Sequence, residues 1–283
     1  MNISELNDWL VSENQQPLIM GVLNVTPDSF TDGGKFLNPT TAVNHALDMI
    51  NNGADMIDIG GESTRPFSNP VSDKEELSRV ISVVKSLREK TDTVISIDTT
   101  KSQVAEKSCE NGANLINDIS GFLFDDNMVN VAKKYNCPII LMHISGNPKT
   151  MQENPVYENV VEDIKNHLLE RVAFAQQNGI QKNKIILDPG IGFGKTIEDN
   201  IIILNKFEKF SNLSYPILVG TSRKSFIGNT LNVDENNRIE GTIASNVIAL
   251  SKGCKIFRVH DIKESKRALT LANKIFNSKS INT

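Results

Sequence analysis

The sequence predicts an α/β protein folded as a single-domain (β/α)8 TIM barrel, and three observations carry that prediction. Eight short apolar, β-branched runs alternate with longer segments of helical period. A strand that feeds a helix eight times implies right-handed crossovers, and eight such units close a sheet with no exposed edge. No low-complexity or Gly/Ser-rich stretch divides the 283 residues, a length that one α/β barrel fills. A doubly wound open sheet is the alternative.

Residues 1–16 read as an N-terminal lead-in that matches no motif, and the barrel is assigned to residues 17–283. The first predicted strand, Leu18–Leu23, leads to a helix over Thr40–Asn51, and the second, Met56–Ile59, to a helix over Asp73–Lys90. Val94–Ile97 and Leu115–Ile119 follow, each ahead of a shorter helix, Lys101–Asn111 and Asn127–Tyr135. The second half repeats the alternation: Ile139–Met142 with Val160–Gln177, Ile185–Leu187 with Thr196–Phe210, Pro216–Val219 with Arg238–Ser251, and Ile256–Val259 with Ile262–Phe276. Asn52-Gly53, Asn111-Gly112, Asn178-Gly179 and Lys252-Gly253 supply the glycine stops that end helices. The irregular segments Thr26–Pro39 and Ser63–Ser72 follow strands directly, which places them over the C-terminal mouth of the barrel as candidate lids.

Composition excludes several classes of function. With 30 basic and 34 acidic residues the net charge is −4, and no Lys/Arg block offers a footprint for a nucleic-acid backbone. No uncharged apolar run is long enough to cross a bilayer, and the N-terminus lacks a basic region followed by an apolar one, so a cytoplasmic location is expected. Cys109, Cys137 and Cys254 are odd in number and far apart in sequence, and they read as reduced core residues.

In a barrel, the residues at strand ends are a census of the mouth: Asn24, Glu62, Asp98, Asn117, His143, Asp188, Ser222 with Lys224, and Arg258 with His260. Any one of them reads equally well as a cap or turn residue. Asp, Lys, Arg and His at all eight ends exceed what capping needs. The set suits a polar heterocycle carrying an anionic group. Asp98 and Asp188 accept from ring N–H or amino groups, Asn117 both donates and accepts, and Lys224 donates to a ring carbonyl or nitrogen. Arg258 stacks on a ring or holds phosphate, His260 lies two residues on and so on the same strand face, and Ser222 is placed to receive a carboxylate. Met142 and Phe193 read as packing residues that also suit the walls of a flat-ring site.

Three other motifs fail. The Gly190–Thr196 run is one residue short of a phosphate-binding P-loop and is not G-x-G-x-x-G either. The four histidines lack zinc-site spacing, and His45 and His167 are expected on solvated helix faces. No G-x-S-x-G elbow supports Ser-His-Asp catalysis.

Several ordered blocks carry a family resemblance: Met20 to Gly34 (MGVLNVTPDSFTDGG), Asp58 to Pro66 (DIGGESTRP), Ile97-Asp98-Thr99, and Ile116 to Ile119 (INDI). Leu141 to Pro148, Leu187 to Lys195 (LDPGIGFGK), Gly220 to Ser225 (GTSRKS) and Phe257 to Asp261 (FRVHD) continue them. Together they resemble dihydropteroate synthase from about Pro17 to the last helix. The resemblance implies a barrel enzyme, commonly a homodimer, that joins 6-hydroxymethyl-7,8-dihydropterin pyrophosphate to p-aminobenzoate. It releases pyrophosphate and forms 7,8-dihydropteroate for folate synthesis, and sulfonamides mimic the aminobenzoate.

It further implies a pterin pocket of Asp98, Asn117, Asp188 and Lys224 with Met142, Phe193 and Arg258 around the ring. Asn24 would place Mg2+ on the pyrophosphate, whose oxygens meet Thr64, Arg258 and His260. Two loops, with Phe30 and Asp32 on one and Thr64, Arg65 and Pro66 on the other, would close over the aminobenzoate, with Ser222 at its carboxylate. Asp98, Lys224, Arg258 and His260 are the residues expected to carry the chemistry. Ser145 replaces a Gln common in the family, at a position with no assigned contact. The rival enzyme class is a pterin-dependent methyltransferase, and a noncatalytic pterin-binding homologue is a third reading. Some members are fused to the pterin pyrophosphokinase, a question this sequence leaves open.

Overall fold

Strands form where β-branched and aliphatic runs can be buried on both faces, as a parallel sheet wrapped in helices requires. The computed structural model describes residues 1–26 and 39–278. Among these it has eight strands: β1 (Leu18–Asn24), β2 (Met56–Gly60), β3 (Val94–Asp98), β4 (Leu115–Asp118), β5 (Ile139–Met142), β6 (Ile185–Asp188), β7 (Leu218–Val219) and β8 (Ile256–Val259). All ladders are parallel, in the order β6-β5-β4-β3-β2-β1-β8-β7. A parallel bridge between Leu187 and Ile217 joins the two ends, so the sheet closes into the predicted barrel rather than the open alternative. Strand β7 is shorter than expected because Pro216 has no N–H for the ladder; its carbonyl still accepts from Leu187 N–H at 3.0 Å.

The helices are α1 (Ile3–Val11), α2 (Pro39–Asn51), α3 (Asp73–Arg88), α4 (Ser102–Glu110), α5 (Met128–Tyr135), α6 (Val160–Gln177), α7 (Ile197–Asn205), α8 (Glu208–Ser211), α9 (Ser225–Leu231), α10 (Ile239–Ser251) and α11 (Ile262–Phe276). The predicted helix over 196–210 is divided into α7 and α8, and α1 and α9 were not expected. Most of the core lies between the barrel wall and the helices, where outward residues such as Ile57, Ile95 and Leu187 meet helix residues such as Val84 and Leu168.

A second core fills the barrel floor. Every strand contributes to it, through Leu18, Met20, Met56, Val94, Leu115, Ile140, Ile186, Leu218 and Ile256, and Leu6, Trp9 and Leu10 of α1 pack onto them. The segment read as a lead-in therefore plugs the N-terminal end of the barrel. Asn2 and Glu5 form a capping box at its start, and the Trp9 indole N–H donates to Gln16 O at 2.9 Å. With the floor closed by side chains, the opposite mouth is left for ligands.

The three cysteines are free and buried, as expected. Cys109 and Cys137, distant in sequence, bring their sulfurs to 3.8 Å. His45 is exposed on α2, but His167 is not on a solvated face: its ring packs edge-on against His143 with centroids 4.7 Å apart, because α6 lies against the loop after β5.

Candidate active site

Sheet register gathers the predicted residues into one rim. Asn24 pairs with Gly60, Gly60 with Asp98, and Asp98 with Asn117, while Met142 pairs with Asp188 farther round. A Cβ added at Gly60 would stand 3.6 Å from Asp98 Oδ2 and 3.8 Å from Asn24 Oδ1, so both oxygens gather over the same patch of backbone.

Below that rim lies a charge cluster centred on a residue not proposed from strand-end positions, Asp58. It is fully buried within β2 and accepts from Arg258 Nε at 2.6 Å and from Asn117 Nδ2 at 3.0 Å. Arg258 also donates through Nη2 to Asp98 at 2.8 Å. Burial works against the guanidinium's charge, but the two carboxylates outweigh it and raise its pKa. Two carboxylates sharing one cation leave net negative charge in a dry site. Burial, with Asp58 and Glu76 nearby, accordingly pushes Asp98 up to about 7 against the pull of Arg258. Asp58 was legible only as an acid interrupting an apolar strand.

On the opposite side of the mouth, Asp188 accepts from Gly190 N–H at 2.7 Å, and burial raises its pKa despite Lys224 nearby. Lys224 donates to Ile191 O, and its ammonium sits 4.6 Å from the Phe193 ring centroid, a cation–π distance. Desolvation lowers Lys224 to about 8, with Asp188 opposing. Met142 and half-buried Phe193 belong to a small apolar cluster with Ile119, Ile144 and Met151, which makes the wall that a flat ring needs. The turn before Lys224 is strained: Arg223 has φ 58° and is locked to Asp261 by bonds of 3.1 and 2.5 Å.

Ser222 is buried, and its hydroxyl accepts from His260 N–H at 3.2 Å and lies 3.0 Å from His260 Nδ1. Burial first, then Arg258 and Arg223, lower His260 to about 4. Among the second-loop residues, half-buried Thr64 lines a cavity of about 330 Å3 beside Asp98, whereas Pro66 is exposed and Arg65, 73% exposed, pairs with Glu235 at 3.0 Å. Phe30 and Asp32 lie outside the described residues.

Two residues of the strand-end census are paired with lysines, although Glu62 still lines the cavity beside Asp98. Glu62 is tied to Lys101, which also holds buried Glu76 at 2.5 Å. His143 is buried 2.9 Å from Lys195 Nζ. Lys195 itself was missed, since a lysine in a glycine-rich run reads as a solvated or phosphate-facing residue.

A closed parallel barrel with a polar mouth, an apolar wall and an arginine paired with two carboxylates has the architecture of a barrel enzyme with its site at the strand ends. Residues 20–260 match the model of the pterin binding enzyme family. The dihydropteroate synthase of Clostridium beijerinckii is 51% identical over 92% of this chain and 94% of its own. The Yersinia pestis dihydropteroate synthase solved with a sulfonamide drug complex is 42% identical, with a TM-score of 0.88 over 93% of this chain and 95% of that one. The Xanthomonas albilineans dihydropteroate synthase solved with 7,8-dihydropteroate is 34% identical, with a TM-score of 0.85 over the same shares. The chain belongs to the dihydropteroate synthase family of pterin-binding enzymes. It is an enzyme, a transferase. No described helix is long and apolar enough to cross a membrane.

Proposed function

We propose that this enzyme condenses 6-hydroxymethyl-7,8-dihydropterin pyrophosphate with p-aminobenzoate, releasing pyrophosphate and forming 7,8-dihydropteroate for folate synthesis. The observation that carries the reading is the Asp58–Arg258–Asp98 cluster, with Asn117, set opposite Asp188, Lys224 and Phe193 around one mouth. Asp188 accepts from the amino edge of the pterin, Asn117 and Lys224 bond its other edges, and Phe193 and Met142 wall its faces.

The reaction is dissociative. Pyrophosphate departs first, and the aminobenzoate nitrogen then attacks the pterin methylene cation without an enzyme nucleophile. Asp98 offsets the positive charge growing on the ring, while Arg258, held charged by its carboxylates, and His260 take the departing anion. Neutral His260, its Nδ1 3.0 Å from the Ser222 hydroxyl, contributes a ring N–H as donor. Thr64, Arg65 and Pro66, with Phe30 and Asp32, close over the aminobenzoate and exclude water, and Ser222 with its neighbouring backbone receives the carboxylate.

Asn24 is the residue that would hold Mg2+. Its amide oxygen, gathered with Asp98 at the rim, suits an ion that would keep waters and take phosphate oxygens as further ligands. When bound, it supplies positive charge at the pyrophosphate.

The enzyme is proposed to be cytoplasmic and homodimeric and to be inhibited by sulfonamides. Exposed Ile201, Leu231 and Ile248, on helices α7, α9 and α10 that pack together, support a dimer surface. The test is incubation with both substrates and Mg2+, following pyrophosphate and dihydropteroate together. Stoichiometric appearance of both is expected, and binding of pterin without pyrophosphate release would overturn the reading.

A further inference from the structure

The glycine-rich run that fails as a P-loop has a different use for its lysine. Lys195 is only 2% exposed, and its ammonium lies 2.9 Å from His143 Nδ1, 3.0 Å from Phe193 O and 3.5 Å from His143 O. The amine is thus occupied by a buried imidazole and two backbone carbonyls rather than left free for a phosphate.

The reason for a lysine there lies in how closely the loop is pressed to its neighbour. Gly190 has φ +70°, and a Cβ on it would stand 2.0 Å from His143 O, a separation no side chain survives. Such tight turns fold backbone carbonyls inward, away from water, where each needs a donor. Lys195 supplies the carbonyls of His143 and Phe193 from beneath. From the other side the Tyr157 hydroxyl donates to Gly194 O at 2.6 Å and Gln152 Nε2 to Gly192 O at 2.7 Å. The carbonyl that Lys195 holds is that of Phe193 itself, whose ring meets Lys224. Burial holds the amine well below its usual range, with Asp188 opposing, which fits a lysine kept as an internal strut.

We propose that Lys195 is a positioning residue for pterin binding, fixing the glycine-rich loop so that Phe193 stands against Lys224 at the wall of the ring site. The proposal rests on the pterin-condensing activity proposed above and adds a residue that never touches the substrate.

The test is a double-mutant cycle between Lys195→Met and Phe193→Ala, with KM and kcat measured for the pterin substrate and folding checked by circular dichroism. In the otherwise native enzyme, Lys195→Met should raise KM for the pterin substrate by roughly tenfold or more with a smaller change in kcat, as loss of alignment predicts. In the Phe193→Ala background the same change should add less than about twofold, because its route to the substrate is already gone. Equal losses in both backgrounds, or an unchanged KM in folded Lys195→Met, would overturn the proposal. If Lys195→Met does not fold, Tyr157→Phe releases the loop from its other side. A KM rise that Phe193→Ala abolishes supports the strut, and an additive or absent effect overturns it. A wild-type enzyme that neither binds nor turns over the pterin substrate would instead remove the underlying activity, and the proposal with it.

Discussion

Arg258 and Asp98, 160 positions apart in sequence, are joined by a 2.8 Å hydrogen bond across the barrel mouth. Their strands, β8 and β3, are separated in the sheet by β1 and β2, so the bond spans the curved interior. An open sheet would hold these side chains apart. Curvature of the sheet across these four strands is therefore what brings the central charge cluster together.

Replacing Asp98 with Asn keeps the shape and removes the charge. Loss of one such electrostatic contact at a developing cation costs on the order of 3 kcal/mol of barrier, about a hundredfold in rate. Asp98→Asn is expected to lose activity on that scale while melting near the wild-type temperature, because Asp58 still holds Arg258. Near-normal turnover would remove Asp98 from the mechanism.

Much of this site was readable before folding, and the unread parts share a cause. Strand ends can be located because buried β-branched runs stand out, and the register brings Asn24, Asp98 and Asn117 together at one edge, with Asp188 farther round. Asp58 and Lys195 could not be located in this way, because each is a charged residue enclosed by the fold, and enclosure depends on neighbours far away in sequence. His143 follows β5 but is drawn into a buried contact with Lys195, whereas Glu62, tied to Lys101, still lines the cavity beside Asp98. Helix α1 escaped notice because its apolar face is explained only by the barrel floor it covers.

The pH dependence of kcat/KM should be bell-shaped and narrow. Asp98 must lose its proton to oppose positive charge, and it does so as pH rises through about 7. Lys224 must keep its proton to donate to the pterin, and it loses it above about 8. The rate constant therefore rises through the first value and falls through the second, and kcat/KM reports these groups in the free enzyme. Asp98→Asn should flatten the acid limb. Lys224→Arg should carry the alkaline limb upward, since a guanidinium stays charged across the range. An acid limb retained in Asp98→Asn would assign it to another group.

His260 predicts an acid-linked loss of stability. Its folded-state pKa is about 4, below the ordinary 6.5, so between those values the unfolded chain binds a proton that the folded protein refuses. Stability linked to this group is complete above about pH 6.5 and drains as pH falls toward 4. His143, lowered by burial to about 2, drains in the same direction. Melting temperatures measured from about pH 7 to 4.5 should fall for the wild type and fall less for His260→Gln. Parallel curves for the two proteins would show that His260 does not titrate with folding.

The barrel floor allows stability and chemistry to be separated. Leu6 of α1 is fully buried against residues from the bottoms of the strands, at the end of the barrel away from the mouth. Leu6→Ala leaves a cavity there and should cost about 2–5 kcal/mol in chemical denaturation. Because the rim residues are held by sheet register and by their own ion pairs, kcat and both KM values should stay within about twofold at temperatures where the protein remains folded, as expected for distant, independent sites. Trp9, the only tryptophan in the chain, sits in the same floor, so its fluorescence reports release of the plug directly. A large loss of kcat in folded Leu6→Ala would mean that α1 shapes the mouth as well as the floor. In that case the hydrogen bond between Arg258 and Asp98 would depend on packing at both ends of the barrel.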